Sequence, residues 1–236
     1  MELSVVLPAY NEADKLESAV ERTAEELKKI TPSFEILIAE DGSTDGTDEI
    51  ASALAKKYDY IKHLHSEERL GRGRALTRAF KSANGEIFVY LDVDLATDMT
   101  YLKQLTGAVQ KGYDISTGSR MLPESMVKRS FRRGMASKGF NFLTKLFLRS
   151  KIHDHQCGFK AFRRDVLLSL IDQVKDQHWF WDTEILVRAQ RQGYRIKEFP
   201  VRWERGGATK VDLIHDVFEM GSQILRLWWE LRRDRT

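Results

Sequence analysis

Cysteine is nearly absent: Cys157 stands alone in 236 residues. A single thiol excludes an intrachain disulfide and a cysteine-based zinc site, and points to a reducing, intracellular compartment. Long apolar runs are missing too. The longest, Ile87 to Leu91, spans five residues, whereas a helix that crosses a bilayer needs about 20. The first residues show no basic stretch followed by an apolar one, so neither a spanning helix nor an exported precursor is expected. Proline is scarce, at 4 residues, and the 15 glycines are scattered rather than gathered into a linker. One continuous domain over 1–236 with a sizeable core is the expectation.

Charge is balanced overall, at +3, but not evenly spread. Between Ser125 and His153 lie Lys128, Arg129, Arg132, Arg133, Lys138, Lys145, Arg149 and Lys151, with no acidic residue among them. The rest of the chain is therefore net acidic. A basic segment on an acidic protein implies one localised anionic partner, such as a phosphate, an anionic lipid surface or nucleic acid. No nucleic-acid motif accompanies the segment, and the acidic remainder disfavours a broad footprint, so nucleic acid is not expected.

In the first half, short β-branched runs alternate with amphipathic ones. Leu3 to Leu7, Phe34 to Ala39, Ile61 to Leu64 and Ile87 to Leu91 read as strands. Ala13 to Ile30, Asp45 to Tyr58 and Gly71 to Ala83 read as helices. That alternation predicts βαβ crossovers and a mostly parallel sheet between helices. Further along, Asp114 to Gly118 and Arg195 to Trp203 read as strands, and Phe131 to Arg149 and Trp181 to Gln192 as helices. The chain closes on an apolar stripe of Ile214, Val217, Phe218, Gly221, Ile224, Leu225, Trp228 and Leu231.

Ligands of open α/β sheets bind at the carboxyl ends of the strands. Four such ends carry unusual residues: Pro8-Ala-Tyr-Asn-Glu12, Asp41-Gly-Ser-Thr-Asp-Gly46, Leu70-Gly-Arg-Gly-Arg74 and Asp92-Val-Asp94. In extended backbone Asp92 and Asp94 point the same way. Paired carboxylates suit Mg²⁺ or Mn²⁺, which would bridge to a diphosphate; alone, the pair could equally be a solvated turn. Asp41 can accept hydrogen bonds from a base or ribose, and the Gly71 loop can cradle a phosphate at a helix start.

In this order, the four segments resemble family 2 of the inverting glycosyltransferases, which have a GT-A fold: a Rossmann-like, mostly parallel sheet sandwiched by helices, here followed by C-terminal amphipathic helices. The resemblance implies that Pro8, Ala9, Tyr10, Glu12, Asp41 and Gly71 contact the nucleotide and that Asp92 and Asp94 bind the metal. It divides the chain into a nucleotide-binding half, 1–95, an acceptor and catalytic half, 96–212, and an amphipathic helix, 213–236.

Gly118-Ser-Arg120, the Arg133 to Asn141 segment, Asp154-x-Gln-Cys-Gly-Phe-Lys160, Trp181-Asp-x-Glu184 and Pro200 to Lys210 narrow the resemblance to polyprenyl (dolichyl) phosphate hexose synthases. Within that group the chain looks closer to glucose synthases, which use UDP-glucose, than to mannose synthases, which use GDP-mannose. The mannose synthases commonly have Gln where this chain has Ala96, and two Asp where it has Glu40-Asp41. Arg120, Arg133, Arg205 and Lys210 match positions that gather around the donor and acceptor phosphates. The implied reaction is inverting hexose transfer to a lipid phosphate, with Asp94 and these cations as its catalytic residues. It implies a membrane surface as partner and a peripheral location on the cytoplasmic face. The interleaved aromatics and cations of Phe131 to Arg149 suit such an interface, or they face the domain's own core.

Overall fold

The computed structural model describes residues 1–128, 131–204 and 213–233; at 131–133 and 213–218 it describes the backbone alone. The first half follows the alternation of the sequence: β1 (Leu3–Ala9), α1 (Ala13–Lys28), β2 (Phe34–Glu40), α2 (Thr47–Lys57), β3 (Ile61–Leu64), α3 (Arg72–Ser82) and β4 (Ile87–Leu91). After a single 3-10 turn at Met99–Tyr101 come α4 (Leu102–Gln110), β5 (Ile115–Ser119) and β6 (Met126–Lys128). They are followed by α5 (Phe131–Leu148), β7 (Phe159–Arg163), α6 (Arg164–Ile171), α7 (Trp181–Arg191), β8 (Ile196–Pro200), β9 (Arg202–Glu204) and α8 (Leu213–Arg233).

A seven-stranded sheet runs in the order β3-β2-β1-β4-β7-β5-β8. β1 pairs in parallel with β2 and β4, and β2 with β3, as expected of crossover helices. β7 breaks the pattern by running antiparallel to both β4 and β5. A small second sheet joins β6 and β9. The mostly parallel α/β sandwich is thus as the sequence predicted, with β7, α4 and α6 added to it.

Alternation along each strand builds two cores. On β1, Val5 and Leu7 face one layer with Leu16 and Leu27 of α1 and Leu54 of α2, while Val6 faces the other with Leu76 and Phe80 of α3 and Trp181 of α7. A third cluster joins Leu148 of α5, Phe180 and Val187 to Ile224, Leu227 and Leu231 of α8. α8 therefore turns slightly from its predicted stripe: Leu227 is buried and Leu225 is 53% exposed. An ionic lattice ties the same helices together, with Glu184 of α7 held by Arg188 at 2.6 Å and by Arg226 of α8 at 2.6 Å.

The predicted strand Arg195 to Trp203 divides at Pro200. β8 pairs with β5 up to that residue, and β9 belongs to the other sheet. Proline has no amide hydrogen to continue a ladder, so the boundary falls where the chain loses a donor.

Candidate active site

The loops at the carboxyl ends of β1 and β2 are laced into one another. Asn11, with φ at +53°, donates its N–H to Ser43 Oγ at 3.0 Å and accepts the Thr44 N–H on Oδ1 at 2.8 Å. Glu12 N–H donates to Thr47 Oγ1 at 2.8 Å, and Asp45 takes the N–H groups of Ala13 and Thr47 at 3.2 and 3.1 Å. A non-glycine residue in the left-handed region is locally costly and persists where its surroundings hold it, as these bonds do. Pro8 and Ala9 end β1 beneath this knot, and the Tyr10 ring lies under the Arg69 guanidinium at 4.0 Å.

Asp41 is 4% exposed. Its Oδ1 accepts the Leu70 N–H at 2.7 Å and its Oδ2 the Gly71 N–H at 2.9 Å. The side chain expected to read a base or ribose thus fastens the third loop to the second. Gly71 has φ +97°, and a Cβ there would lie 2.5 Å from the carbonyl oxygen of Gln177, so no other residue fits.

The residue after Gly71 was not singled out by the sequence reading, yet it is central. Arg72 donates from Nη1 to Asp182 Oδ2 at 2.6 Å and from Nη2 to Asp92 Oδ1, and lies over the rings of Tyr90 and Trp179. Asp182 also binds the Tyr90 hydroxyl and the fully buried Lys160 ammonium, the latter at 2.9 Å. Burial alone would raise the Asp182 pKa, but Lys160 and Arg72 hold it below the ordinary carboxylate value. The sequence signals were a lysine amid the apolar residues of β7 and the Trp181-Asp182 pair opening α7.

Asp92 and Asp94 follow β4 and edge a shallow cleft with Ala96, Gly158 and Trp203. Asp94 Oδ1 accepts the Ala96 N–H at 3.1 Å. Desolvation by the cleft and then the like charge of Asp92 push the Asp94 pKa up. The charge of Asp92 makes an ionised Asp94 costlier, so a cation between them would be stabilising, and an all-oxygen pair fits a hard divalent cation. β7 closes this corner, because Asp92 N–H donates to the Gly158 carbonyl at 3.1 Å and the Asp92 carboxylate rests directly on the Gly158 Cα.

Arg120, at the end of β5, clasps the buried Asp154 bidentately at 2.7 and 2.9 Å and lies over the Trp203 ring. Asp154 is held well below the usual carboxylate range, since Arg120 more than offsets its burial. Arg205 and Lys210, and the side chain of Arg133, lie outside the described residues. His155 is buried between Asn141 Oδ1 at 2.7 Å and Ser150 Oγ at 2.8 Å. Burial pushes its pKa down to about 3, so it is a neutral structural imidazole.

The profile of glycosyl transferase family 2 matches residues 4–171. The chain belongs to this family. It is 56% identical over 234 residues to glycosyltransferase AglD of Haloferax volcanii, covering 98% of this chain and 38% of that protein, so it spans well under half the length of that relative. Dolichyl-phosphate beta-glucosyltransferases of Drosophila melanogaster and Saccharomyces cerevisiae are each 30% identical to it. These matches cover 97% and 94% of this chain, and 74% and 73% of theirs. Among solved structures, glucosyl-3-phosphoglycerate synthase from Mycobacterium tuberculosis, in complex with Mn²⁺, UDP and glucosyl-3-phosphoglycerate, superposes with a TM-score of 0.68. That match has 21% identity and covers 96% of this chain and 78% of that one. The fold is therefore the GT-A fold predicted from the sequence motifs.

Proposed function

We propose that this family 2 glycosyltransferase moves glucose from UDP-glucose to a polyprenyl phosphate of the dolichyl type, with inversion, giving a β-linked lipid phosphate sugar. The observation that carries the reading is the convergence of the Asp92–Asp94 pair with the interlocked loops of Pro8–Glu12, Asp41 and Gly71 at one sheet edge. The names of the curated relatives support the glucosyl donor and the lipid phosphate acceptor. GDP-mannose is the alternative donor.

In this reading Pro8, Ala9, Tyr10, Glu12, Asp41 and Gly71 hold the nucleotide, within a nucleotide-binding half over 1–95. Asp92 and Asp94 would hold Mg²⁺ or Mn²⁺. Such an ion neutralises the diphosphate and stabilises the charge that grows on it as the sugar leaves. The acceptor phosphate is already ionised near neutral pH and is its own nucleophile, so no histidine base is needed. Arg120, Arg133, Arg205 and Lys210 steady the phosphates from the acceptor half, 96–212, and catalysis rests on in-line positioning and electrostatics. The chain acts as one domain.

A lipid acceptor requires access to a bilayer. No helix among the described residues is long and apolar enough to cross a membrane. α5, which also carries Lys138 and Lys145, exposes Phe142 at 63% and Leu146 at 61%, and α8 exposes Trp229 at 57%. Phe140 and Phe147 pack into the cluster with α8, so one side of the helix faces the core and the other is left exposed. Peripheral docking on the anionic cytoplasmic face fits this pattern.

A donor panel tests the reading. UDP-glucose, UDP-GlcNAc and GDP-mannose, each radiolabelled, are incubated with polyprenyl phosphate and Mn²⁺ or Mg²⁺ and then extracted into organic solvent. Label in the lipid phase from UDP-glucose alone is expected. Label from GDP-mannose alone gives the alternative, and none from any donor refutes lipid phosphate as acceptor.

A further inference from the structure

Across β1 from Asp92 and Asp94, at the ends of β2 and β3, four side chains converge that were not read together in the sequence. Glu40, Asp48, His63 and His65 each offer one ligand atom, and all four atoms lie within 4.8 Å of one another. Glu40 ends β2 and Asp48 sits in the first turn of α2. His63 lies in β3 and His65 directly follows it, so the two-residue repeat of extended backbone turns both imidazoles to one side.

Three of the separations are short, and the longest is close to that of a coordination shell. His65 Nδ1 lies 2.7 Å from Glu40 Oε2 and 2.9 Å from Asp48 Oδ1, and His63 Nε2 lies 3.2 Å from Asp48 Oδ1. Ligands at zinc distances about a tetrahedral ion are roughly 3.3 Å apart. Hydrogen bonding accounts for only part of the arrangement: His65 Nδ1 and Glu40 Oε2 are hydrogen-bonded at 2.7 Å. Asp48 Oδ1 and His63 Nε2 are both buried and neither has a hydrogen-bond partner, despite their proximity. Atoms that approach this closely without aligning on each other are placed as ligands of a common ion would be.

The surroundings agree. Arg78 spends its guanidinium on the carbonyls of Glu40, Leu64 and His65. Glu40 is fully buried, and its Oε1 accepts the Ser43 N–H at 2.5 Å, an outer contact of the kind that orients a ligand while Oε2 stays turned to the cluster.

We propose that Glu40, Asp48, His63 and His65 form a site for a divalent transition-metal ion of the zinc class, distinct from the Asp92–Asp94 pair. Two imidazoles and two carboxylates favour Zn²⁺ over Mg²⁺ or Mn²⁺ by ligand softness and by the affinity order of the first-row ions. The ion would cross-link β2, β3 and α2 directly behind Asp41. It would also brace Ser43, which bonds both Glu40 and Asn11, so its role is to stiffen the interlocked loops.

The test is calorimetric titration of the chelator-treated full chain with Zn²⁺, with Co²⁺ absorption as a reporter of geometry. One equivalent of Zn²⁺ should bind wild type and Asp94→Asn alike, and Co²⁺ should give the intense visible bands of a four-coordinate site. Asp48→Asn and His63→Gln should weaken Zn²⁺ binding by about tenfold or more. His65→Gln, at a partly exposed position, should do the same, so a folding defect in the other two leaves a clear reading. Wild-type affinity in His65→Gln, or an equivalent of Zn²⁺ that disappears in Asp94→Asn and not in His65→Gln, overturns the site.

Discussion

Gly158→Ala isolates the role of Asp92 without touching its charge. Gly158 carries no left-handed φ, so alanine suits its backbone, and the carbonyl that accepts the Asp92 N–H is unchanged. The new methyl, however, falls on the Asp92 carboxylate, with all of its nearest neighbours being atoms of that group. The carboxylate must retreat by about 1 Å, since Cβ contacts closer than 3.0 Å essentially do not occur. It cannot retreat freely, because Arg72 grips it and is itself anchored by Asp182.

The two consequences differ in size. Asp92 is 44% exposed, so weakening its ion pair costs only about 1 kcal/mol after solvent screening. For a chain of this length that lowers Tm by roughly 2–4 °C. A reactive centre displaced by about 1 Å can lose about 10²-fold in rate. Thermal melts paired with transfer kinetics over a Mn²⁺ titration should therefore show a nearly intact fold, a strongly reduced kcat and a raised Mn²⁺ requirement. A rate within threefold of wild type, at unchanged Mn²⁺ dependence, would falsify the placement of Asp92 at the reacting diphosphate.

Asp94→Asn should abolish most activity and leave the melting curve intact, and EDTA should do the same to wild type; full turnover in EDTA would contradict a metal at this pair. Asp41→Ala should weaken UDP binding in calorimetry by releasing the Leu70 and Gly71 amides, whereas Lys145→Ala should change it little; the reverse order would move the nucleotide elsewhere. His155 stays neutral in the fold down to about pH 3, while the unfolded chain takes up that proton near pH 6.5. The unfolded state then binds more protons, so stability is full above about pH 6.5 and falls by up to about 1.4 kcal/mol per pH unit as pH drops toward 3. His155→Gln should flatten this part of the stability profile, and an unchanged slope would show that the histidine is not the group responsible.

The first half was legible because its strands are apolar runs rich in β-branched residues, set apart by helices of one period. The second half was less so, and each failure has a local cause. β7 carries Lys160 as its second residue, and the charge that argues against a buried strand is neutralised by Asp182, which lies far along the chain. α4 is nine residues and begins only after a 3-10 turn. In the site, the motifs located the loops but not their wiring. Asp41 was legible as a functional carboxylate, yet its two backbone partners depend on how the Gly71 loop folds over it. Nothing near Arg72 in the sequence announces that it bridges Asp92 and Asp182.

The reversed strand explains how these distant residues meet. Because β7 runs antiparallel to β4 and β5, its beginning rather than its end lies at the edge where β1, β2, β4 and β5 finish. The preceding loop, from Asp154 to Gly158, is thereby delivered to the site, where Gly158 backs Asp92 and Asp154 clasps Arg120. The charges at that edge are then largely matched in pairs: Arg120 with Asp154, Lys160 with Asp182, Lys15 with Glu12, and Arg72 shared between Asp92 and Asp182. Asp94 has no such ion pair among the described residues, and desolvation and then the like charge of Asp92 push its pKa up, leaving negative charge there without a cation. That unmatched charge is the physical ground for placing a divalent cation at Asp92 and Asp94. It also explains why Asp94→Asn should relieve local repulsion while removing function, so that loss of activity with equal or greater stability is the signature to seek.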